Sequence, residues 1–244
     1  MKLIPANGWR GFAGEVGVIV LGVLIALGAQ RIVEDYSDRQ RLSSTLDAIR
    51  TEVADHDFSA SEIQIAAPCI VAQVEAIQQR LAAGDPRLVP LYRDADFSDG
   101  YVVRLPSRLW SGVAWQSVSE ADTLRRLKPD FAAAMAPYYA QVASASGTND
   151  EAWAAHVSLN VLGRMVPRSE SDRLRFLELA GILRGKIAFL DLVSGQIRYR
   201  LGQTGQLLSE KDRNAMLANS GTLKFCRERG LPLGVVRPVS APQS

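Results

Sequence analysis

The feature that most constrains this chain is one apolar run near its N-terminus. From Gly11 to Gln30 it reads GFAGEVGVIVLGVLIALGAQ. As a helix rising ~1.5 Å per residue, about 20 such residues match a hydrocarbon core roughly 30 Å thick. Trp9 and Arg10 at one end, and Arg31 and Tyr36 at the other, are residue types that favour the headgroup region. The run therefore predicts a transmembrane helix over 11–30. Glu15 is its one ionisable residue, close enough to the N-terminal end to reach the headgroups or pair with another helix. Gly14, Gly17, Gly22 and Ala26 make the helix thin, and Gly22 with Ala26 forms a small-xxx-small pair that admits a second backbone. With Glu15, these are the expected helix-packing residues.

Two other readings compete. A cleavable signal peptide would use Ala26-Leu27-Gly28 as its small-residue site, and a buried core helix would hide the run in protein. The stretch before the 12-residue apolar run such a peptide would use is long for its n-region and includes Glu15, which weighs against the signal peptide. Charge alone does not orient the span, because Lys2 and Arg10 on one side face Arg31, Arg39, Arg41 and Arg50 on the other. Long domains translocate largely regardless of charge, and Glu34, Asp35 and Asp38 follow the span. The expectation is residues 1–10 as a cytoplasmic tail in a bacterial inner membrane, with the C-terminal domain periplasmic.

The remainder reads as helical. Apolar residues recur at Leu42, Leu46, Ile49 and Val53, pass through His56 and Ala60, and continue at Ile63, Ala67, Ile70, Val74, Ile77 and Leu81. Steps of four and three define a heptad seam, so 31–84 is expected to be a helical stalk, kinked or restarted at Pro68 and ended by Gly84, Asp85 and Pro86. Residues 85–116 carry prolines and glycines among mixed residues and read as an irregular excursion, with one short strand at Tyr101 to Arg104. Helical signals resume with Ser117 and Glu120 at capping-box spacing. Pro129 and Asp130 then open a short helix, and Asn149 with Asp150 cap another. A second seam runs through Phe176, Ala180, Leu183, Ile187, Leu190, Ser194, Ile197, Leu201, Thr204 and Leu208.

Two long seams with shorter helices between them predict an all-α architecture. The N-terminal transmembrane helix continues into a bundle with two long helices and a short irregular insertion, residues 117–230 completing the bundle. A parallel homodimer built on the seams is the competing explanation. Residues 231–244 hold three prolines and no period, and read as a loose tail.

The anchor pattern GEVGVIVLGVLIALGAQ runs into RIVEDYSDRQRLSSTLDAIRTEV, and the AWQSV segment and the pair Tyr138-Tyr139 follow. In these motifs the chain resembles an uncharacterised bacterial family of single-pass membrane proteins with a Gly-Glu before a short apolar span and a helical domain after it. The resemblance implies topology and class; the family has no assigned activity.

Composition limits the chemistry. With 244 residues, 47% of them hydrophobic, the chain can bury a core without metal or disulfide staples. Its 28 basic and 26 acidic side chains are interspersed and leave a formal charge of +2, so no nucleic-acid face is expected. Cys69 and Cys226 have no CxxC or histidine companion. Outside the cytoplasm such a pair invites a disulfide, the alternative being two unrelated buried thiols. The two histidines, His56 and His156, read as seam or core residues rather than bases or ligands. Asp94, Asp96, Asp99 and Gly100 approach a calcium loop but have the wrong spacing and no closing glutamate. Trp110, Trp115, Trp153, Tyr138 and Tyr139 read as core ahead of a pocket. Gly202 and Gly205 lack a phosphate-loop context and read as the loosened end of a helix.

No catalytic residue, cofactor or metal site is expected, and the chain is not expected to be an enzyme. The partners expected are the lipid bilayer and protein, a second copy of this chain included, through the anchor and the helical domain. Function is expected to be that of a structural or interaction protein, an accessory subunit or scaffold of an inner-membrane assembly. The alternative is a ligand-binding sensor ectodomain that signals through a partner.

Overall fold

The computed structural model describes residues 8–84, 102–120, 127–163 and 169–239. Six α-helices occur among these residues, and no strand. They are α1 (Gly8–Ala82), α2 (Val113–Glu120), α3 (Pro129–Leu159), α4 (Glu170–Gln203), α5 (Glu210–Ala218) and α6 (Gly221–Glu228). A 3-10 turn, Asn160–Gly163, follows α3. The protein is predominantly all-α. It divides into two compact units, residues 1–47 and 48–244.

The first unit contains the N-terminal part of α1. An 18-residue window there has a mean hydropathy of 2.2 and none of it is buried, so this helix is long and apolar enough to cross a membrane. Val18, Ile19, Leu24 and Ile25 are each at least 60% exposed.

In the second unit, residues 48–82 of the stretch read as a stalk form a buried helix of the domain. A heptad seam buries one face, whereas α1 is buried on every side from His56 to Gln64, Asp57, Ser59, Ser61 and Glu62 included. The sequence carries the physical sign of this. Between Thr51 and Gln79 there is neither lysine nor arginine, the side chains that ordinarily solvate the outer face of a helix. Helix α1 runs through Pro68 and stops at Gly84, whose φ of +64° suits only glycine well.

Helices α3 and α4 pack against each other along their lengths. The single helix α3 replaces the two short helices expected between the seams. Pro129 and Asp130 do open it, since proline sacrifices no hydrogen bond there and the aspartate faces the positive end of the helix dipole. Asn149 caps nothing: it is buried, and its amide donates to the Arg108 carbonyl at 3.4 Å. Ser117 likewise sits inside α2, its hydroxyl bonded to the Ala114 carbonyl, so this capping-box spacing starts no helix. Helix α4 buries the second seam from Ala180 to Leu201. It begins at a Ser169–Asp172 capping box and gives way at Thr204 and Gly205, φ +67°.

The strand expected at Tyr101 to Arg104 does not form over Val102 to Arg104, whose backbone is bonded by side chains instead: Asn160 accepts from Val102 N, and Gln73 from Arg104 N. Residues 85–101, with the acidic Asp94 to Gly100 motif, lie outside the described residues.

The C-terminal segment is docked over residues 231–239, where a loose tail was expected. Gly234 N donates to Ile65 O at 2.8 Å, and Arg237 N donates to Gln64 Oε1 at 2.8 Å. Pro68 explains why the segment settles here. A proline four residues on gives no N–H to the Gln64 carbonyl, and a Cβ on Gly234 would lie within 3.0 Å of that oxygen. Two polar backbones approach this closely only because residue 234 has no side chain.

Candidate functional site

The chemistry-bearing side chains of the second unit meet along α1 between Glu52 and Glu62, on three of its sides. On the first side His56, fully buried, shares a 2.6 Å hydrogen bond between Nδ1 and the Tyr138 hydroxyl of α3. Its ring stacks on Trp110 at 5.9 Å. One turn earlier Glu52 accepts from Tyr139 Oη at 2.7 Å and from Ala114 N at 3.3 Å. Tyr139 in turn stacks on Trp115 at 5.2 Å, the planes within 6° of parallel. Burial holds His56 below the ordinary histidine range, opposed by the Glu52 and Asp55 charges and the Ser111 backbone. Burial and the Glu52 carboxylate push both tyrosines far up. At neutral pH this side therefore presents a neutral imidazole and two phenols around Glu52. It ties α1 to α3.

On the second side Asp57 and Arg198 form an ion pair at 2.7 Å, their side chains 0% and 3% exposed. Asp57 also accepts from Leu208 N at 3.0 Å, and Arg198 donates to Arg237 O at 2.7 Å. The pair thus joins α1, α4, the segment after α4 and the C-terminal segment in one place. The extra bonds offset the desolvation that a bare buried pair would suffer.

The third side faces a cleft of about 360 Å³ between α1, α3, the 103–108 segment and the start of α6. Glu62, 1% exposed, is gripped by Arg108 through Nε and by Nη2 at 3.1 Å, and Ser220 donates to the same carboxylate. Arg108 also lies over the Phe58 ring at 4.4 Å. His156, held below its ordinary range by burial, bonds Val103 O at 2.8 Å and meets Trp153 edge-on.

Of the residues singled out in the sequence, Cys69 and Cys226 are brought together, their sulfurs at the disulfide distance of 2.03 Å. They lie in a buried cluster with Phe225, under Leu231 and Leu233. Gly14, Gly17 and Gly22 lie on α1 with nothing within 4 Å of a would-be Cβ, and Ala26 is exposed. The Glu15 side chain lies outside the described residues. Tyr138, Tyr139 and Trp110 are buried; Trp110 and Tyr139 also line a cleft together with Trp115, and Trp153 lines the one beside Glu62. Among the described residues no group of three or more His, Cys, Asp or Glu is gathered to hold a metal.

Sequence reasoning missed Glu52, Asp57, Glu62, Arg108 and Arg198. The absence of Lys and Arg from 51–79 was the signal that those acids turn inward, toward arginines supplied from far along the chain. Compared with protein-family models, with curated proteins and with solved structures, the chain finds no match.

Proposed function

We propose that the chain is a single-pass, membrane-anchored interaction protein, an accessory subunit or scaffold of an inner-membrane assembly whose helical domain is periplasmic. The observation that carries this is the unburied apolar surface of α1. Eleven large apolar side chains from Val16 to Val33 are at least 41% exposed. Covering them is worth on the order of 10–20 kcal/mol, and lipid or a neighbouring helix supplies that cover. The Cys69–Cys226 pair supports a domain outside the cytoplasm, where disulfides persist. The domain's inward-turned acids support a structural role, since Asp57 and Glu62 are committed to internal arginines.

The test uses the full chain. Membranes washed with carbonate should retain it, and release without detergent would sink the anchor. In mild detergent its mass should exceed that of the lone polypeptide plus micelle. Gly22→Leu with Ala26→Leu should return it to the lone chain while leaving the helical signal intact. A wild-type chain that is already alone would overturn the assembly reading. The second reading, a ligand-binding ectodomain acting through a partner, is favoured by the arginine-lined cleft.

A further inference from the structure

We infer that a second cleft, between α3, α4 and the C-terminal segment, is a binding site for a small organic acid whose carboxylate is received by Arg200. The inference deepens the ligand-binding reading and rests on it, while the fate of the anchor has no bearing on it. The cleft encloses about 550 Å³, and its polar lining comes from Gln64 of α1, Gln141 of α3, Gln196, Tyr199 and Arg200 of α4, and Arg237.

The first support is an imbalance between donors and acceptors. Arg237 N donates to Gln64 Oε1 at 2.8 Å, Arg200 Nε to Gln141 Oε1 at 2.9 Å, and Gln141 Nε2 to Gln196 Oε1 at 3.3 Å. Backbone and guanidinium N–H groups only donate, so they fix which way the Gln64 and Gln141 amides point. All three amide oxygens are thus occupied by groups of the wall, and donors remain. Among the described residues Gln64 Nε2 has no hydrogen-bond partner, although the residue is only 3% exposed, and a buried donor left unmet is costly. It lies 3.5 Å from where a Gly195 Cβ would be, with Arg237 Nη1 at 2.9 Å from the same point, so two donors meet at the notch that Gly195 leaves in the cleft wall. A ligand that satisfies this wall must bring acceptors.

The second support is charge. No aspartate or glutamate is among the described residues that line the cleft. Arg237 is paired with Asp191, whereas Arg200 pairs with no carboxylate among the described residues and bonds only the neutral Gln141. That bond uses Nε and holds the guanidinium in place, which leaves both terminal nitrogens for a planar group with two oxygens. Little ordering remains for the ligand to impose. The third support is the rest of the wall. Leu192 and Tyr199, 52% and 56% exposed, stand beside Pro238 and Val239. An inorganic anion would leave this apolar surface uncovered, whereas the carbon body of an organic acid covers it, and the volume falls within the range of small-molecule sites.

The experiment follows thermal unfolding of the full chain in detergent while benzoate or hexanoate is titrated at constant ionic strength, with chloride as the balancing anion and benzamide as the uncharged control. Wild type should show a saturable rise in Tm with at least one of the two acids, about 4 °C at ten times the half-saturating concentration, and none with benzamide. Arg200→Gln should raise the half-saturating concentration about tenfold or more, and Arg200→Lys should raise it less. Gln196 is exposed in the cleft wall, so Gln196→Glu should fold as wild type does and lose the response by offering Arg200 an internal carboxylate. A rise that survives unchanged in Arg200→Gln or Gln196→Glu puts the ligand elsewhere, which overturns this site and leaves the ligand-binding reading standing. The absence of a rise with either acid would overturn the inference too, as would an equal rise with benzamide.

Discussion

Gly234→Ala isolates the docking of the C-terminal segment onto α1. The glycine has no left-handed φ to preserve, since the positive values belong to Gly84, Gly205 and Gly230, so a methyl group acts only through space. That methyl would fall within 3.0 Å of the Gln64 carbonyl oxygen and 3.4 Å from Pro68 Cγ. Neither neighbour can swing aside, because one is helix backbone and the other a ring locked to it. The segment must lift, and three hydrogen bonds lift with it: Gly234 N to Ile65 O, Arg237 N to Gln64 Oε1, and Arg198 Nη1 to Arg237 O. At about 1 kcal/mol for each neutral bond and somewhat more for the charged one, partly regained from water, the loss is about 2–4 kcal/mol. That corresponds to a fall in Tm of roughly 5–15 °C for a unit of this size. Circular dichroism melts of the full chain measure it. Gly185→Ala is the control: it has nothing within 4 Å in the middle of α4, and should stabilise by about 0.5–1 kcal/mol. If Gly234→Ala melts within a degree of wild type, the close approach does not hold the segment and the reasoning from Pro68 fails.

The buried ion pair should behave asymmetrically. Asp57→Ala strands Arg198 and should destabilise by about 3–5 kcal/mol, whereas Asp57→Leu with Arg198→Met should recover most of that in denaturant titrations. Equal losses in both variants would contradict the account. Thiol titration of the denatured, unreduced protein should find no free thiol, and reduction should lower Tm, the cross-link between residues 157 apart contributing about 5 kcal/mol in the chain-entropy model. Detection of two thiols would refute the pairing. Because burial depresses both histidines, the unfolded chain binds protons first. Their contribution is complete above an unfolded pKa near ~6.5 and is lost as pH falls from there through the folded values, by at most about 1.4 kcal/mol per pH unit for each histidine. Urea midpoints at pH 7.5 and 5.5 test the sign, and His56→Gln should flatten the slope.

Helical class was legible because it rests on period. The seam residues Ile49 to Leu81 and Ala180 to Leu201 are buried where steps of three and four put them. The capping spacings were less informative, because a cap is defined by where its side chain goes. Ser169 and Asp172 bond each other's backbones and start α4, whereas the Asn149 amide turns to a carbonyl 41 residues away and α3 continues past it. Composition misled at the C-terminus. Prolines and glycines at 230–238 exclude a helix, but they do not exclude docking, and the acceptor that receives Gly234 lies in α1.

The sites were the least legible part because each is made of residues distant in sequence. Glu62 meets Arg108 and Ser220, and Asp57 meets Arg198 and Leu208 N, across separations of 46 to 158 residues. Local pattern carries only half of each pair: it can reveal an acid that no nearby base accompanies. That half is still informative. A helix with no lysine or arginine over 51–79 but with Glu52, Asp57 and Glu62 along it must draw cations or hydrogen-bond donors from elsewhere in the fold. The cations it draws, Arg108 and Arg198, bring with them the segments that carry them. The same acids that tie the bundle together therefore also fix where the cleft opens, since Glu62 holds Arg108 in its wall.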